Sequence, residues 1–332
     1  MKAIVLLSGG LDSILASKII LEQEIEVIAV NFLTVFCAST SKKSSCLASK
    51  SAAQKLGIKL KVFEVSKEYL NIVKNPRHGY GSNLNPCIDC RIFMFKKAGE
   101  FMRQVGAKFL ITGEVLGERP MSQRKEAMKI IEKESGLEGL ILRPLSAKLL
   151  EPTIPERKGW VDRKKLLAIK GRSRKPQIQL AEKLNISDYP HPSGGCLLTD
   201  PGFAKRMKDL MKFKPEFDVN DVKLLKTGRY FRLSKNAILV VGRNNEENER
   251  LLKLAKEKDL YFYPLKVKGP IGIGRGDFDE KDIFTSAGII ARYCDGNLVQ
   301  ELEIGYRVIS DNKTSQLSVL PFSQQELETL RI

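Results

Sequence analysis

Short apolar runs alternate with stretches of helical periodicity from residue 1 to residue 200. Four runs have the length and composition of strands: residues 3–7, 26–32, 59–65 and 108–112. The first run carries no charge, which is typical of a strand buried on both faces of a parallel sheet. Between the runs, residues 44–56 and 91–105 favour helices. The pattern predicts an α/β fold built on a doubly wound parallel sheet.

The rhythm changes past Pro201. Residues 203–211 favour a basic amphipathic helix, and residues 213–221 favour a linker. Further on, strands are predicted at residues 230–233, 237–242 and 261–267 and around Leu302 and Val308. Helices are predicted at residues 242–258, with an asparagine as N-cap, and at residues 281–294. We therefore predict a C-terminal α+β domain, with domains at residues 1–200 and 201–332.

The turn after the first predicted strand has the sequence SGGLDS. Its glycines let backbone N–H groups converge on one point, and the following helix N-terminus adds a positive dipole end. Hydroxyl donors and a carboxylate that suits magnesium complete the set. The candidate anion cradle consists of Ser8, Gly9, Gly10, Asp12 and Ser13, and Asp12 is also a candidate catalytic residue.

The whole string SGGLDS after an N-terminal hydrophobic strand resembles the PP-loop ATP pyrophosphatases. The resemblance implies an adenine nucleotide alpha hydrolase-like fold that binds ATP and Mg²⁺, releases AMP and pyrophosphate, and adenylates a substrate. The string lacks the Gly-Lys-Ser/Thr ending of a Walker loop, which disfavours a kinase or an ordinary ATPase. Asn31 and Phe32, at the end of the second strand, would lie beside the nucleotide, although a plain strand end is an alternative for Phe32.

The chain is strongly basic, with 56 Lys and Arg residues against 39 Asp and Glu residues and a net charge of +17. Such an excess is typical of proteins that bind nucleic acid, although a lysine-rich surface is an alternative. Residues 155–177 concentrate this charge, with nine basic residues, two acidic residues and one aromatic residue, Trp160. We interpret this basic track as a surface that positions an RNA backbone without reading its sequence.

The expected cellular location of the protein determines how its cysteines are interpreted. No apolar run approaches the roughly 20 residues that span a bilayer, and the first strand leads straight into the glycine turn without a signal-peptide pattern. We expect a cytoplasmic protein with no membrane partner. In that compartment, six cysteines with two in a Cys-x-x-Cys spacing indicate metal or redox chemistry rather than structural disulfides.

Three cysteines form a candidate reactive set. Cys87 and Cys90 lie at the head of the helix predicted at residues 91–105, where the dipole favours thiolates. This pair alone fits zinc, an iron–sulfur cluster or a redox dithiol. Cys196 follows the sequence YPHPSGG, which would hold it exposed and rigid, with His191 as a base or a turn cap. The other cysteines are interpreted as bystanders or core residues: Cys37, Cys46 and Cys294.

Two further strings resemble families of tRNA-modifying enzymes. TGEVLGERPMSQ at residues 112–123, followed by LRPL, resembles the catalytic domain of tRNA 4-thiouridine synthases, and NPCIDC resembles the tRNA 2-thiouridylases. The resemblance implies that Thr112 and Gly113 lie near the α-phosphate. It also implies that Ser122, Gln123 and Arg143 line the same pocket, although Arg143 could instead be a surface cation before a turn.

The same resemblance assigns roles to the cysteines. Cys196 would receive or transfer sulfur, as a cysteine in this part of the thiouridine synthases does. Cys87 and Cys90 would then be a dithiol that works with Cys196 through persulfide and disulfide. Alternatively, as in iron–sulfur-dependent tRNA thiolases, the three thiolates would hold a [4Fe-4S] cluster whose open iron binds sulfide. A closed zinc site is disfavoured because no fourth ligand stands out.

Residues 230–310 resemble the NFACT-type RNA-binding domain. The resemblance rests on the helix start GRNNEEN and on a turn rich in Pro and Gly at residues 269–276. It implies that Arg243 and Arg275 contact RNA phosphates, with an ordinary hairpin turn as the alternative.

These expectations combine into an ATP-dependent tRNA sulfurtransferase that adenylates a uridine and replaces its carbonyl oxygen with sulfur. Its expected partners are tRNA and a sulfur donor, which is sulfide, a cysteine desulfurase or a carrier protein, and a second copy of the chain in a homodimer is a further candidate. The alternative is a PP-loop ligase for a small molecule, similar to deazaguanine nitrile synthases, with a zinc site. A third hypothesis is a non-catalytic RNA-binding factor with a vestigial ATP site. No THUMP-like region or rhodanese-like tail is recognised, which leaves the target uridine and the sulfur source open.

Overall fold

The computed structural model describes residues 1–37, 42–187, 189, 196–295 and 299–332, with residues 42–46 described by their backbone alone. The chain divides into two compact units, Met1–Thr199 and Asp200–Ile332. This division lies one residue from the domain boundary expected from the sequence. Each unit is built on its own sheet.

The first unit contains a five-stranded parallel sheet in the order β3-β2-β1-β4-β5. Its strands are β1 (Lys2–Leu6), β2 (Glu26–Leu33), β3 (Lys59–Glu64), β4 (Phe109–Thr112) and β5 (Ile141–Leu142). Its helices are α1 (Leu11–Leu21), α2 (Lys42–Lys55), α3 (Ser66–Lys74), α4 (Cys87–Gln104), α5 (Lys125–Ser135), α6 (Ile154–Arg157) and α7 (Lys175–Lys183). The predicted α/β fold with a parallel sheet is confirmed.

Apolar residues cover both faces of this sheet. Ala3 and Val5 of β1 belong to a hydrophobic cluster that includes Leu15 of α1, whereas Ile4 belongs to a second cluster that includes Phe95 of α4. Successive residues of a strand point to opposite faces, so helices lie on both sides of the sheet. This double burial explains why residues 3–7 carry no charge.

The strand order places a topological switch point beside β1. β2 pairs with one edge of β1 and β4 with the other, both in parallel. Leu6 of β1 is in register with Thr112 of β4, so both strands end at the same edge of the sheet. Ligands of doubly wound sheets bind in the crevice at such a point, outside the carboxyl ends of the strands.

The second unit is an antiparallel α+β structure, as predicted. Its six strands have the order β11-β10-β8-β9-β7-β6: β6 (Arg229–Arg232), β7 (Ala237–Val241), β8 (Leu260–Pro264), β9 (Gly272–Gly276), β10 (Leu302–Val308) and β11 (Ser315–Val319). Its helices are α8 (Pro201–Phe213), α9 (Val219–Leu225), α10 (Asn245–Leu254), α11 (Glu280–Arg292) and α12 (Gln324–Leu330). Asn244 caps α10, where its Oδ1 accepts from the Glu247 N–H at 2.9 Å.

Three local predictions are corrected. Helix α4 begins at Cys87, four residues earlier than expected, and so contains both cysteines in its first turn. Helix α9 replaces part of the expected linker because Asp218 and Asp221 form a capping box. The expected glycine turn contains a strand, β9, in the interior of the sheet. A Cβ at Gly272 would lie 2.8 Å from Ile290 Cδ1, so glycine there admits the close packing of α11.

Arg275 is a buried structural residue, and its expected contact with RNA phosphate is wrong. Its Nη1 donates to Asp221 Oδ1 at 2.8 Å, and its Nη2 donates to Asp259 Oδ2 at 2.6 Å. Burial alone would raise the pKa of Asp221, but Lys214 and Arg275 bring it down to about 2. A guanidinium that two carboxylates neutralise inside the unit is not available to a phosphate.

Within the part of the chain that the structure describes, no helix has both the length and the apolar character needed to cross a bilayer.

Replacing Arg275 by methionine should destabilise the second unit strongly. The variant leaves buried Asp259 without its cation and leaves buried Asp221 with lysine partners alone, and breaking such a buried pair costs about 3–5 kcal/mol. Urea denaturation measures the change. Arg250→Met is the matched control, because its pair with Glu246 is solvent-exposed and is worth less than about 1 kcal/mol. A loss below about 1 kcal/mol for Arg275→Met would contradict the structural role.

Candidate nucleotide and thiol site

The turn between β1 and α1 has a shape that only glycine permits at position 9. Gly9 has a φ of +82°, in the left-handed region. A Cβ there would lie 2.5 Å from the carbonyl carbon of Ala48. Helix α1 begins directly after Gly10, so its first N–H groups have no carbonyl partners within the helix. These donors and the positive dipole end lie at the position predicted for the anion cradle, and anion binding there stays a prediction.

Two serine hydroxyls fix the shape of this cradle. Ser13 Oγ donates to the carbonyl of Gly10 at 2.8 Å, and it lies 3.2 Å from Ser8 Oγ. Ser8 Oγ also accepts from the Gly10 N–H at 3.3 Å. Ser8 remains exposed at the mouth of the turn, where its hydroxyl can also reach a bound phosphate. The hydroxyls therefore order the turn before any ligand binds.

The segment after β4 lies directly on the start of α1. A Cβ at Gly113 would lie 2.5 Å from the carbonyl carbon of Asp12 and 2.6 Å from the Ser13 nitrogen. Thr112, which precedes it, is buried. The structure thus brings Asp12, Ser13, Thr112 and Gly113 together, although they are about a hundred residues apart in sequence.

Asp12 presents an unsatisfied carboxylate oxygen. Its Oδ1 is buried and has no hydrogen-bond partner among the described residues. Burial raises the pKa of Asp12, while the positive charges of Arg174 and Arg119 act against this rise. Burial and the charge of Asp12 also raise the pKa of Glu118. Carboxylate oxygens beside guanidinium groups suit a magnesium ion with phosphates, so the residues present fit the expected Mg²⁺ and ATP.

Other buried polar atoms also lack partners within the described ranges. A bound polar ligand is one explanation for such atoms in a folded protein. They are Asn31 Oδ1, Glu114 Oε1, Ser122 Oγ, Arg143 Nη2, Arg174 Nε and the side-chain amide of Gln177. Glu114 Oε1 nevertheless has an ion-pair partner, because it lies 3.3 Å from Arg91 Nε. Gln123 instead has a local role, because its Oε1 accepts from the Arg119 N–H at 3.0 Å.

Asn31 and Phe32, near the carboxyl end of β2, have different surroundings. Asn31 Nδ2 donates to the carbonyl of Leu7 at 2.8 Å and so supports the end of β1. Phe32 stacks on Phe63 with ring centroids 5.4 Å apart and packs against the hydrophobic cluster around Ile4. Core packing accounts for Phe32 without a ligand, and its contact with the nucleotide stays a prediction.

A buried carboxylate joins the cradle to the cysteine helix. Glu114 Oε2 accepts from Arg143 Nε at 3.0 Å, and Glu114 Oε1 lies 3.3 Å from Arg91 Nε. Arg143 also pairs with Glu132, and it is 3% exposed. Its charge is thus neutralised by carboxylates, which favours a positioning role for Arg143 over direct contact with phosphate.

The predicted cysteines lie within electrostatic range of one another. Burial raises the pKa of Cys90, and the Tyr69 hydroxyl and Arg91 oppose the rise. Burial raises the pKa of Cys196 to about 12, and the charges of Cys90, Cys37 and Cys87 add to it. The thiol form of Cys196 is therefore favoured at neutral pH. Cys196 is half-buried by its accessible surface, and not fully exposed as the sequence indicated.

Cys37, interpreted from the sequence as a bystander, lies in one thiol cluster with Cys87, Cys90 and Cys196. Its backbone forms an antiparallel bridge with Cys196. Sequence reasoning also missed Tyr69, Glu118, Arg119, Arg174 and Gln177. For Cys37 a signal was present, because it follows closely on β2, whose carboxyl end was expected at the ligand edge.

Across the described ranges, no group of three or more His, Cys, Asp and Glu residues is placed to hold a metal ion. The cluster and zinc predictions for Cys87, Cys90 and Cys196 therefore stay predictions. The turn before Cys196, with His191, and the side chain of Cys46 lie outside the described residues.

Comparison with known proteins agrees with both resemblances. Residues 1–149 match the family described as thiamine biosynthesis protein (ThiI). The first unit is thus similar to this family over most of its length. Residues 228–331 match the NFACT protein RNA binding domain, which covers strands β6 to β11 of the second unit. The two resemblances inferred from the sequence strings are confirmed.

The chain is also similar to two curated tRNA-modifying enzymes. A tRNA-specific 2-thiouridylase from Petrotoga mobilis is 31% identical over 130 residues, covering 35% of this chain and 35% of the relative. A probable tRNA sulfurtransferase from Thermococcus kodakarensis is 28% identical over 144 residues, covering 43% and 36%. The chain thus spans about a third of the length of these relatives. A solved 4-thiouridine synthetase–RNA complex with bound ATP matches 56% of this chain and 51% of its own, with 20% identity and a TM-score of 0.36.

Replacing Gly113 by alanine should weaken nucleotide binding at least tenfold, because the new Cβ must push the backbone of Asp12 and Ser13 out of place. Titration calorimetry with ATP and Mg²⁺ measures the affinity. Gly202→Ala is the control, since its Cβ would meet nothing closer than 3.4 Å and lies in α8 of the other unit. An unchanged ATP affinity for Gly113→Ala would contradict a nucleotide site at this contact.

Proposed function

We propose that this chain is an ATP-dependent tRNA sulfurtransferase, which adenylates a uridine and replaces its carbonyl oxygen with sulfur. The observation that carries the proposal is the contact of Gly113 with the backbone of Asp12 and Ser13. It supports a nucleotide at the switch point of the sheet. The match to an RNA-binding domain and the two tRNA-modifying relatives support tRNA as the substrate that is activated there.

In the proposed first step, N–H groups at the start of α1 hold the phosphates that leave as pyrophosphate. Thr112 and Gly113 lie beside the α-phosphate, which the uridine carbonyl oxygen attacks. Asp12 would hold Mg²⁺, whose charge would stabilise the leaving pyrophosphate. Arg119 and Arg174, whose charges already act on the Asp12 carboxylate, add positive charge nearby. The protein mainly supplies positioning and charge, because AMP on the uridine is an activated leaving group.

In the proposed second step, sulfide or sulfur carried by Cys196 displaces AMP. Burial raises the pKa of the Cys196 thiol, which favours its protonated form at neutral pH. Cys87 and Cys90 are the companion thiols of this step. Thiolates are the usual ligands of a [4Fe-4S] cluster, with Zn²⁺ or a catalytic disulfide as alternatives. Iron and sulfide analysis of anaerobically purified protein distinguishes the three.

The basic track supports binding of the tRNA backbone. Seven of its nine basic residues are exposed: Arg157, Lys158, Lys164, Lys165, Lys170, Arg172 and Lys175. Its central part lies against the loop after β4, because the Gly171 N–H donates to the carbonyl of Leu116 at 2.8 Å. Positive charge beside the nucleotide site favours a polyanionic substrate over a small molecule. The small-molecule ligase and the vestigial RNA-binding factor are therefore disfavoured.

The identity of the sulfur donor among sulfide, a cysteine desulfurase and a carrier protein stays a prediction of the sequence. The homodimer and the cytoplasmic location likewise stay predictions of the sequence. The target uridine is identified by mass spectrometry of tRNA nucleosides from a deletion strain.

Two variants separate the proposed half-reactions. Asp12→Ala should abolish ATP–pyrophosphate exchange in the presence of tRNA, because it removes the carboxylate beside the phosphates. Cys196→Ala should retain exchange within about twofold and lose thiolation, since it removes only the sulfur carrier. Exchange of labelled pyrophosphate and nucleoside mass spectrometry measure the two activities. Normal thiolation by Cys196→Ala would contradict the assigned role of Cys196, and wild-type protein without tRNA-dependent exchange would contradict the proposed function.

The double variant Lys170→Ala/Arg172→Ala should bind tRNA more weakly and with a shallower salt dependence. Each lost phosphate contact lowers the slope of log K against log salt by about 0.7 to 0.9. Fluorescence anisotropy at several salt concentrations measures that slope, with an expected decrease of about 1.5 for two contacts. The control is Lys129→Ala/Lys133→Ala, which removes the same charge from α5. Equal slopes for both double variants would show that the track does not hold RNA.

A further inference from the structure

Cys37 and Cys196 face each other across a two-stranded contact. The bridge between them is antiparallel, and the Leu197 N–H donates to the Phe36 carbonyl at 3.1 Å. That hydrogen bond joins the flanking residues, so the two cysteines form a non-hydrogen-bonded pair. Such pairs have Cα atoms about 4.5 Å apart with neighbouring side chains on the same face. Disulfides span Cα distances of about 4.4–6.8 Å, so the backbone already suits a bond between the two sulfurs.

Hydrogen bonds and packing hold both segments of this bridge in place. On one strand, the Cys37 N–H donates to the Thr34 carbonyl at 3.2 Å, and Phe36 packs 5.8 Å from the Tyr69 ring. On the other, Thr199 donates twice to the Cys196 carbonyl, from its N–H at 2.9 Å and its Oγ1 at 2.7 Å. The opposition of the two cysteines is therefore built into the fold of the first unit.

The remaining cysteines of the cluster are placed differently. Cys87 and Cys90 lie in the first turn of α4, and neither belongs to the bridge with Cys196. Cys90 Sγ contacts Met94 Sδ at 4.0 Å on its own helix. The backbone geometry thus singles out Cys37 as the partner of Cys196.

We propose that Cys37 is the resolving thiol of Cys196, and that the two form a reversible cross-strand disulfide during sulfur transfer. The proposal rests on the sulfurtransferase function proposed above and adds a residue to it. It makes Cys37 a sulfur-transfer residue of the reaction.

The step begins after a persulfide-carrying donor has transferred its outer sulfur to Cys196. The Cys37 thiolate attacks Cys196 Sγ, the Cys37–Cys196 bond forms, and the bond to the outer sulfur breaks. Hydrosulfide leaves with that electron pair, so one sulfane sulfur is reduced while two protein sulfurs are oxidised. The hydrosulfide displaces AMP from the adenylated uridine. A protein dithiol or a small thiol then reduces the disulfide and restores both cysteines.

Peptide mapping of the oxidised full chain tests the pairing independently of any activity. Cleavage after Lys and Arg separates the cysteines of interest onto distinct peptides: 19–42 for Cys37, 44–50 for Cys46, 78–91 for Cys87 and Cys90, and 184–205 for Cys196. Reduced protein is titrated with diamide, digested without reductant and analysed by mass spectrometry. The expected main product joins peptides 19–42 and 184–205. A main product that joins 184–205 to 78–91, or 19–42 to 44–50, would overturn the proposal.

A second measurement follows the sulfur. Wild-type chain loaded with a persulfide donor should release one hydrosulfide without added thiol. Cys37→Ser should release it at least tenfold more slowly and retain a 32 Da adduct on the Cys196 peptide. Cys294→Ser is the matched control, since Cys294 is buried in the second unit, and it should behave as wild type. Release by Cys37→Ser within twofold of wild type would overturn the role of Cys37.

The two proposals fail separately. In one outcome, the wild-type chain forms the mapped disulfide and releases hydrosulfide but never thiolates tRNA. The sulfurtransferase function and the role of Cys37 in tRNA thiolation are then both wrong, whereas the pairing of Cys37 with Cys196 is still correct. If the wild-type chain thiolates tRNA while Cys37→Ser does so equally fast from the persulfide donor, the function stands and the resolving role is wrong.

Discussion

One buried carboxylate, Glu114, holds the two chemical halves of the candidate site together. It lies between the guanidinium groups of Arg91 and Arg143, and it is 2% exposed. Arg91 directly follows Cys90, and Glu114 directly follows Gly113. Because a buried carboxylate is costly without its cations, this ion pair fixes the start of α4 against the loop after β4. The thiols at the start of α4 thereby keep a fixed position relative to the backbone of Gly113, which is proposed to bind the α-phosphate.

The cradle itself depends on the closeness of two backbones. A Cβ at Gly113 would lie 2.5 Å from the carbonyl carbon of Asp12, so the loop after β4 can approach the start of α1 only with glycine there. A Cβ at Gly9 would lie 2.5 Å from the carbonyl carbon of Ala48, so the turn after β1 packs just as closely on α2. Around this contact, Asp12 and Asn31 keep buried oxygens without partners in the described part of the chain. Buried polar atoms without partners cost free energy, and the proposed nucleotide would satisfy them.

The second unit uses its buried charges for stability. Arg275, Asp221 and Asp259 form a buried ion-pair network. In the same strand as Arg275, Gly272 allows α11 to pack closely on the sheet. Arg243, by contrast, has a half-exposed side chain, although Glu247 pairs with it. The two arginines that the sequence indicated as phosphate contacts thus differ in exposure, and only the exposed one, Arg243, can contact a phosphate.

The sequence alone determined the parallel sheet, the α+β unit and the position of the cradle. Charge-free strands and the SGGLDS turn depend on local rules of periodicity and backbone freedom, which act within a few residues. The tertiary structure alone decided that Cys37 faces Cys196, that Arg275 is internal, and that Arg143 pairs with Glu114. These contacts join residues at least 16 positions apart, in pairs that no local pattern encodes. Strand register and burial arise only when the whole chain packs.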